Sequence, residues 1–416
     1  MIEWIMLAKR TQIAFLVTRL MGTPCWCLLS MLGFILYKNV HITPLQVAAI
    51  VALKPATSLL SPYWSGAIHG RPDRIIANLV GAHFFRYLPF LFLPWIQSIW
   101  LIILAFGLYM MLSRATIPAW MELFKYNLPE TQREQLVGYG TMIDYLAAAL
   151  LAALFGFLLD THPQMWRWFF SLTAALGICS TLLLPSIAPC HAPLLFSSEK
   201  RPRKWGWLSY QISKPWKQIW DLLHLRKDFT IYQIGFMLGG GGLMIIHPAL
   251  PQFFVDTLDL SFVELGLAIS VCKGIGVVCT TPLWTKLFRK CTIFHFSALV
   301  TLLATLFPFL LLAASWHLAL LYLAYAFYGV MQAGSELSWH MSGLVFAQEK
   351  ESLTFSSTNI LTVGLRGCAI PTLGALLLPT LHPIGLLLLG AFLCLCASGY
   401  FLFNGRTLEE RRKAEG

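Results

Sequence analysis

The apolar residues of this chain fall in long unbroken runs separated by short polar stretches, with neither the one-sided stripe of a surface helix nor the alternation of a half-buried strand. A helix that crosses the hydrocarbon core of a bilayer needs about 20 consecutive apolar residues. The pattern predicts twelve such helices, the first six at 12–36, 43–66, 75–97, 98–120, 135–159 and 166–188. After a longer connection come 229–255, 261–284, 292–314, 316–343, 353–379 and 383–404. The runs 75–97 and 98–120 nearly touch, but together they are too long for one crossing. Several runs contain Gly and Pro, which membrane helices tolerate.

Composition agrees with the pattern. Apolar residues make up 57% of the 416 and charged residues 12%, with a mean hydropathy of +0.68. A soluble domain carries about a quarter charged residues, so the surplus apolar surface needs lipid as its solvent. Cytoplasmic loops of membrane proteins are rich in Lys and Arg. With the N-terminus cytoplasmic, Lys9, Arg10, Arg71, Arg74, Lys125, Arg133, Lys286, Arg289, Lys290, Lys350, Arg406, Arg411, Arg412 and Lys413 all lie inside, and only Lys38 and Arg167 outside. The reading is therefore a multi-pass protein of a bacterial inner (plasma) membrane with both termini cytoplasmic. The first apolar run continues past the core of a signal peptide, so no cleaved leader is expected. The net charge of +11 is explained by this asymmetry and calls for no nucleic-acid partner. Cysteines such as Cys25, Cys27, Cys394 and Cys396 lie inside apolar runs and read as packing residues. No metal-ligand cluster and no nucleotide-binding loop is present, so neither a cofactor nor an enzymatic activity is expected.

The connection 189–228 separates an N-terminal half (1–188) from a C-terminal half (229–404), and a cytoplasmic tail (405–416) follows. It carries Lys200-Arg201-Pro202-Arg203-Lys204. Beyond it Trp216, Ile219, Trp220 and Leu223 share one helical face, with Lys217, Asp221 and His224 on the other. A basic amphipathic helix of this kind suits the anionic surface of the cytoplasmic leaflet.

The halves repeat one another. Lys54 before Pro62-Tyr63-Trp64 corresponds to Lys273 before Pro282-Leu283-Trp284, with offsets 273−54=219 and 284−64=220. Arg114 corresponds to Glu336 (336−114=222) and Asp144 to Arg366 (366−144=222). A near-constant offset indicates two six-helix units duplicated in parallel. Twelve spans, this repeat, the long middle loop and the basic turn Gly66-Ala67-Ile68-His69-Gly70-Arg71-Pro72-Asp73-Arg74-Ile75 together resemble the major facilitator superfamily. That family's turn reads roughly G-x-x-x-D-R-x-G-R-R. Gly66, Arg71 and Arg74 match; Gly70 stands for the Asp and Asp73 for the second Gly. The resemblance implies an all-α membrane fold of two pseudo-symmetric six-helix bundles, and a role for Gly66, Arg71, Asp73 and Arg74 in cytoplasmic gating.

Ionisable groups buried among membrane helices are functional candidates. Arg114 and Asp144 occur on consecutive spans, and Glu336 and Arg366 repeat them with the signs exchanged. Pairing within each half, or Arg114 with Glu336 and Asp144 with Arg366, either gates the protein or fixes its helices permanently. His340 lies one turn beyond Glu336 and joins the gating and coupling candidates. Arg86, in the third span, reads as structural. Arg19, Lys54 and Lys273 have no obvious acidic partner; by analogy with the family they face or flank a central cavity, which favours an anionic substrate. His247 is a further binding candidate, next to the run Gly239-Gly240-Gly241-Gly242, where a hinge is expected. The chain thus reads as a monomeric secondary transporter of a small polar, anionic metabolite, driven by protons or by a counter-substrate, in contact with membrane lipids. The alternatives are an efflux carrier for drugs or amphiphiles, and a non-transporting sensor or lipid-handling protein on the same scaffold.

Overall fold

A computed structural model describes residues 2–60, 74–187, 207–347 and 352–415. The described residues are helical almost throughout, and no strand occurs among them. The helices of the first half are α1 (Ile2–Ser30), α2 (Leu32–Val40), α3 (Pro44–Ser58), α4 (Ile75–Leu91), α5 (Ile99–Asn127), α6 (Glu130–Thr161) and α7 (Trp166–Ser180). Then come α8 (Trp207–Leu225), α9 (Lys227–Ile245), α10 (Phe262–Phe288), α11 (Ile293–Ala313), α12 (Ala319–Ala347) and α13 (Ser352–Glu415). Among the described residues eight helical stretches are long and apolar enough to cross a membrane. The last of them, Thr358–Thr407, holds two helices, because His382 takes φ 55° and ψ 169° ahead of Pro383. Three further expected spans coincide with α3, α6 and α12; of these α3 is described over 15 residues, and the apolar part of α6 is Leu146–Thr161.

Local chemistry sets several boundaries. Thr43 caps α3 reciprocally with Gln46, and Pro44 occupies its first turn, where a missing N–H costs nothing. His41 closes α2 in the left-handed conformation, its N–H bonded to the Tyr37 carbonyl. A second reciprocal cap, Ser261 with Glu264, starts α10.

The chain folds as two compact units. The first comprises residues 1–197 together with 254–271. At its core Phe15 meets Trp120 and Phe124 edge-on, with ring centroids 5.1 and 5.0 Å apart. Asn127 Nδ2 donates to Thr11 Oγ1 and to the Ile187 carbonyl. Arg86 is buried; its Nη2 donates to the Tyr87 hydroxyl at 2.6 Å, and its guanidinium lies over the Tyr87 and Tyr109 rings. It ties α4 to α5, a packing role. The start of α10 lies against α6 at small residues: a Cβ on Gly156 would come 2.7 Å from Val263 Cα, and one on Gly266 3.0 Å from the Ala152 carbonyl oxygen. Small residues let membrane helices approach closely where lipid tails offer no hydrophobic contrast.

The second unit comprises 198–253 and 272–416. Its core gathers Phe229, Tyr232, Phe294, Phe346, Phe355 and Phe401. Helices α10 and α12 meet backbone to backbone at two glycines: a Cβ on Gly276 would lie 2.2 Å from the Ala326 carbonyl oxygen, and one on Gly329 2.1 Å from that of Lys273. The run Gly239–Gly242, expected to act as a hinge, lies inside the unbroken helix α9. Close packing explains it, since a Cβ on Gly242 would strike the Gly390 carbonyl oxygen at 2.6 Å. Helix α8 turns Ile219, Leu222 and Leu223 toward this unit and leaves Trp216, Trp220 and Leu225 exposed. The basic cluster 200–204 falls outside the described residues.

Candidate functional site

In the first unit, α1 and α6 bring an arginine and an aspartate together. Arg19 Nη1 lies 2.7 Å from Asp144 Oδ2, and Thr23, one turn further along α1, donates to Asp144 Oδ1 at 3.3 Å. Gly140, one turn before Asp144, gives Arg19 room: a Cβ there would meet the Arg19 Cδ at 3.1 Å. The guanidinium also lies over the Phe15 ring, 5.1 Å from its centroid. The two charged side chains keep 35% and 40% of their surface open. The pair is therefore compensated but accessible, an arrangement that a proton or a ligand anion can break and reform.

This corrects the expected pairings. Asp144 is taken by Arg19, and Arg114 is half-buried in α5 with no ion-pair partner among the described residues. In the second unit Arg366 is 7% exposed and donates from Nη1 to the Phe236 carbonyl at 2.5 Å. Glu336 is exposed on α12, where its carboxylate accepts from Gln332 Nε2 at 2.6 Å. Glu336 and Arg366 thus have separate partners.

The two repeat-related lysines share an environment. Lys54 Nζ is 5.6 Å from the centroid of the Trp26 ring, which stacks on Tyr109 at 6.5 Å. Lys273 Nζ is 5.2 Å from the Tyr328 ring, itself packed on Phe307 at 4.7 Å. An ammonium over an aromatic face is stabilised by the ring quadrupole. His247 Nδ1 is 2.7 Å from the Leu243 carbonyl oxygen, one helical turn back. His340 is exposed on α12, its ring beside Trp339. Arg74 is exposed at the start of α4; Gly66, Arg71 and Asp73 fall outside the described residues.

A second polar cluster in the first unit, built from residues that the sequence reading did not single out, straps the segment 254–271 to α6. Asp160, at the end of α6, accepts from the Phe262 N–H at 2.8 Å and the Val263 N–H at 3.0 Å. Ser261 Oγ takes the Glu264 N–H. The first donors of α10 are thereby satisfied, and a carboxylate sits at the positive end of the helix. Lys38 Nζ donates to the Leu260 carbonyl at 2.6 Å, its ammonium 4.9 Å from the Phe262 ring. The Tyr37 hydroxyl donates to Asp256 Oδ2 at 2.8 Å. Partial burial, then the Asp256 hydrogen bond and charge, push the Tyr37 phenol up to about 12, so it stays protonated as the donor. The sequence signal for this strap was the Ser261-x-x-Glu264 capping box; its partner on α6 carried none.

Asp160→Asn is expected to loosen the strap. An asparagine supplies one acceptor in place of two and no charge, and a charged cap of this kind contributes about 1–2 kcal/mol. Amide hydrogen exchange at Phe262 and Val263 should quicken roughly tenfold, with helices away from α6 and α10 unchanged. Unaltered exchange at both amides would show that the carboxylate contributes nothing to holding this segment.

The sequence matches the family model described as Major Facilitator Superfamily over residues 14–354. Among curated proteins no sequence match is found. Solved structures similar to this one include a POT family transporter in complex with a thioalcohol-conjugated peptide, with a TM-score of 0.71 at 14% identity, covering 94% of this chain and 95% of that one. The nucleoside transporter NupG aligns with a TM-score of 0.69 at 13% identity over 96% and 98% of the two chains. A bacterial homologue of the human lysosomal transporter Spinster, inward-facing and unoccupied, aligns at 0.63 with 12% identity over 96% of each. At such identities the likeness speaks for the fold alone.

Proposed function

The chain belongs to the major facilitator superfamily of membrane transporters, and we propose that it is a secondary active carrier moving a small polar, anionic metabolite by alternating access. The observation that carries this reading is the pair of lysines at repeat-related positions, each with its ammonium against an aromatic face. Placed inside membrane spans, cations held in this way favour a negatively charged cargo. In each unit the ring beside the lysine, Trp26 in the first and Tyr328 in the second, offers an apolar face next to the charge.

Arg19 and Asp144 fit the coupling step better than cargo binding. Arg19 has its counter-charge in place, so a proton on Asp144, or an arriving anion at Arg19, competes with the existing ion pair. Proton symport and anion exchange both work through that competition. The Lys and Arg distribution supports a bacterial inner membrane with both termini in the cytoplasm. In that orientation α8 lies at the cytoplasmic leaflet with Trp216 and Trp220 toward lipid head groups, and the strap from Asp160 to α10 lies at the outer face.

Uptake into proteoliposomes tests the reading, with labelled succinate, glucose 6-phosphate and glucose as probes. Succinate or glucose 6-phosphate should enter in preference to glucose. Lys54→Ala and Lys273→Ala should each raise the KM for that anion about tenfold, as expected for loss of one charged partner. Export of uncharged amphiphiles, with all three probes excluded, would replace this reading by efflux.

A further inference from the structure

The two units place a guanidinium over the same phenylalanine of the repeat. Phe15 and Phe236 are one repeat apart (236−15=221), as are Gln12 and Gln233 (233−12=221) and Arg19 and Gly240 (240−19=221). Arg19 Cζ lies 5.1 Å from the Phe15 ring centroid, and Arg366 Cζ lies 5.1 Å from that of Phe236. The helix that carries the cation has changed. In the first unit it is α1, the helix of the phenylalanine itself. In the second, α9 has glycine at the matching position, and the guanidinium comes from Arg366 on α13. A Cβ on Gly240 would lie 2.0 Å from Arg366 Nη1, so the bare backbone there is what admits the guanidinium.

The carboxylate has not been reproduced. The position matching Asp144 is Arg366 itself (366−144=222), so the same substitution that brought the cation removed its anion. Neighbouring polar groups do not replace it. Gln233 bonds to Asn359 and accepts from Thr362, and Asn359 reaches Ser342; all four are neutral. Arg366 has Nη1 on the Phe236 carbonyl, while its Nε is buried without an acceptor. The Nε–H and Nη2–H edge is the fork that receives a carboxylate or phosphate through two parallel hydrogen bonds. A buried membrane cation without a counter-charge is costly, and the Nε–H of Arg366, one tooth of that fork, has no acceptor among the described residues.

We propose that Arg366 anchors the negative group of the cargo, a carboxylate or phosphate that takes in the second unit the place Asp144 takes in the first. The inference rests on the anionic-cargo reading above and names the residue that recognises the charge. Arg366 then sets specificity for anions, while Arg19, already compensated, does not.

The test is thermal stabilisation of the purified full-length protein by inorganic phosphate, succinate, glucose 6-phosphate and, as the uncharged control, glucose. At least one anion should raise the melting temperature and glucose should not. Arg366→Gln should weaken the half-saturating concentration of that anion by roughly thirtyfold or more, and Arg366→Lys should recover only part, because an ammonium has no fork. Gly240→Ala, whose Cβ would fall 2.0 Å from Arg366 Nη1 and push the guanidinium aside, should lose the anion response as Arg366→Gln does. An anion response that survives Arg366→Gln but not Lys273→Ala or Lys54→Ala overturns this inference and leaves the anionic-cargo reading standing. A full anion response in Gly240→Ala overturns it as well. Stabilisation by glucose alone, or by none of the four probes, removes the anionic-cargo reading and this inference with it.

Discussion

Leucine in place of Gly329 is expected to leave little folded protein in the membrane. The Cβ alone would sit 2.1 Å from the Lys273 carbonyl oxygen and 3.0 Å from the Val277 nitrogen. Both obstacles are backbone, so no side chain can swing aside. Helices α10 and α12 would have to separate, which would also open the facing contact of Gly276 with the Ala326 carbonyl. Overpacking a tight core costs about 1–3 kcal/mol and sometimes more, and here the packing along a whole helix pair is lost as well. A total of about 3 kcal/mol or more is a large share of the roughly 5–15 kcal/mol that holds a domain together. Fluorescence size-exclusion of detergent extracts should show the monodisperse peak nearly absent. Gly329→Ala should be intermediate, and Gly399→Ala, where no atom lies within 4 Å of the added Cβ, should match the parent. Wild-type yield and melting for Gly329→Leu would mean that the α10–α12 contact is looser than described.

Asp144→Asn should have the largest effect on activity. It keeps the shape of the side chain and removes the charge that faces Arg19 at 2.7 Å. Breaking a buried ion pair by one partner costs about 3–5 kcal/mol. With both side chains more than a third open, a figure on the order of 1–2 kcal/mol is the reasonable expectation. Stability should therefore fall only moderately. Gradient-driven accumulation should drop to background, while exchange of labelled for unlabelled cargo across the membrane stays within about tenfold of wild type. The double variant Arg19→Gln with Asp144→Asn separates coupling from packing. A static pair predicts that removing both charges restores accumulation; a coupling pair predicts restored stability without it.

The long apolar helices were legible in the sequence because hydropathy marks them directly, and the repeat is read from positions that keep a fixed offset. That offset also aligns Phe15 with Phe236 and Arg19 with Gly240, a correspondence that acquired meaning only when a guanidinium was found over each phenylalanine. What sequence could not give was rotation about each helix axis. Asp144 on α6 could have met either Arg114 on α5 or Arg19 on α1, at similar depth, and the choice depends on an angle that no spacing encodes. The glycine run illustrates a different ambiguity. Four glycines weaken a helix in isolation, yet a neighbouring backbone at 2.6 Å from a Cβ on Gly242 turns the same residues into packing surfaces. Asp160 escaped notice because its partners are backbone amides, which leave no mark in composition.

The strap of residues 254–271 has a consequence for the order of synthesis. The first unit is not complete when residue 197 has been made, because part of it is encoded 271−197=74 residues later. At about 5–20 residues per second, that gap is roughly 4–15 s of translation. Throughout it the Gly156 and Ala152 face of α6, and the carboxylate of Asp160 at its end, stand in the membrane with no helix against them. The nascent first half must therefore wait, with one groove open, for a segment that reaches it only after α9 has been threaded into the bilayer.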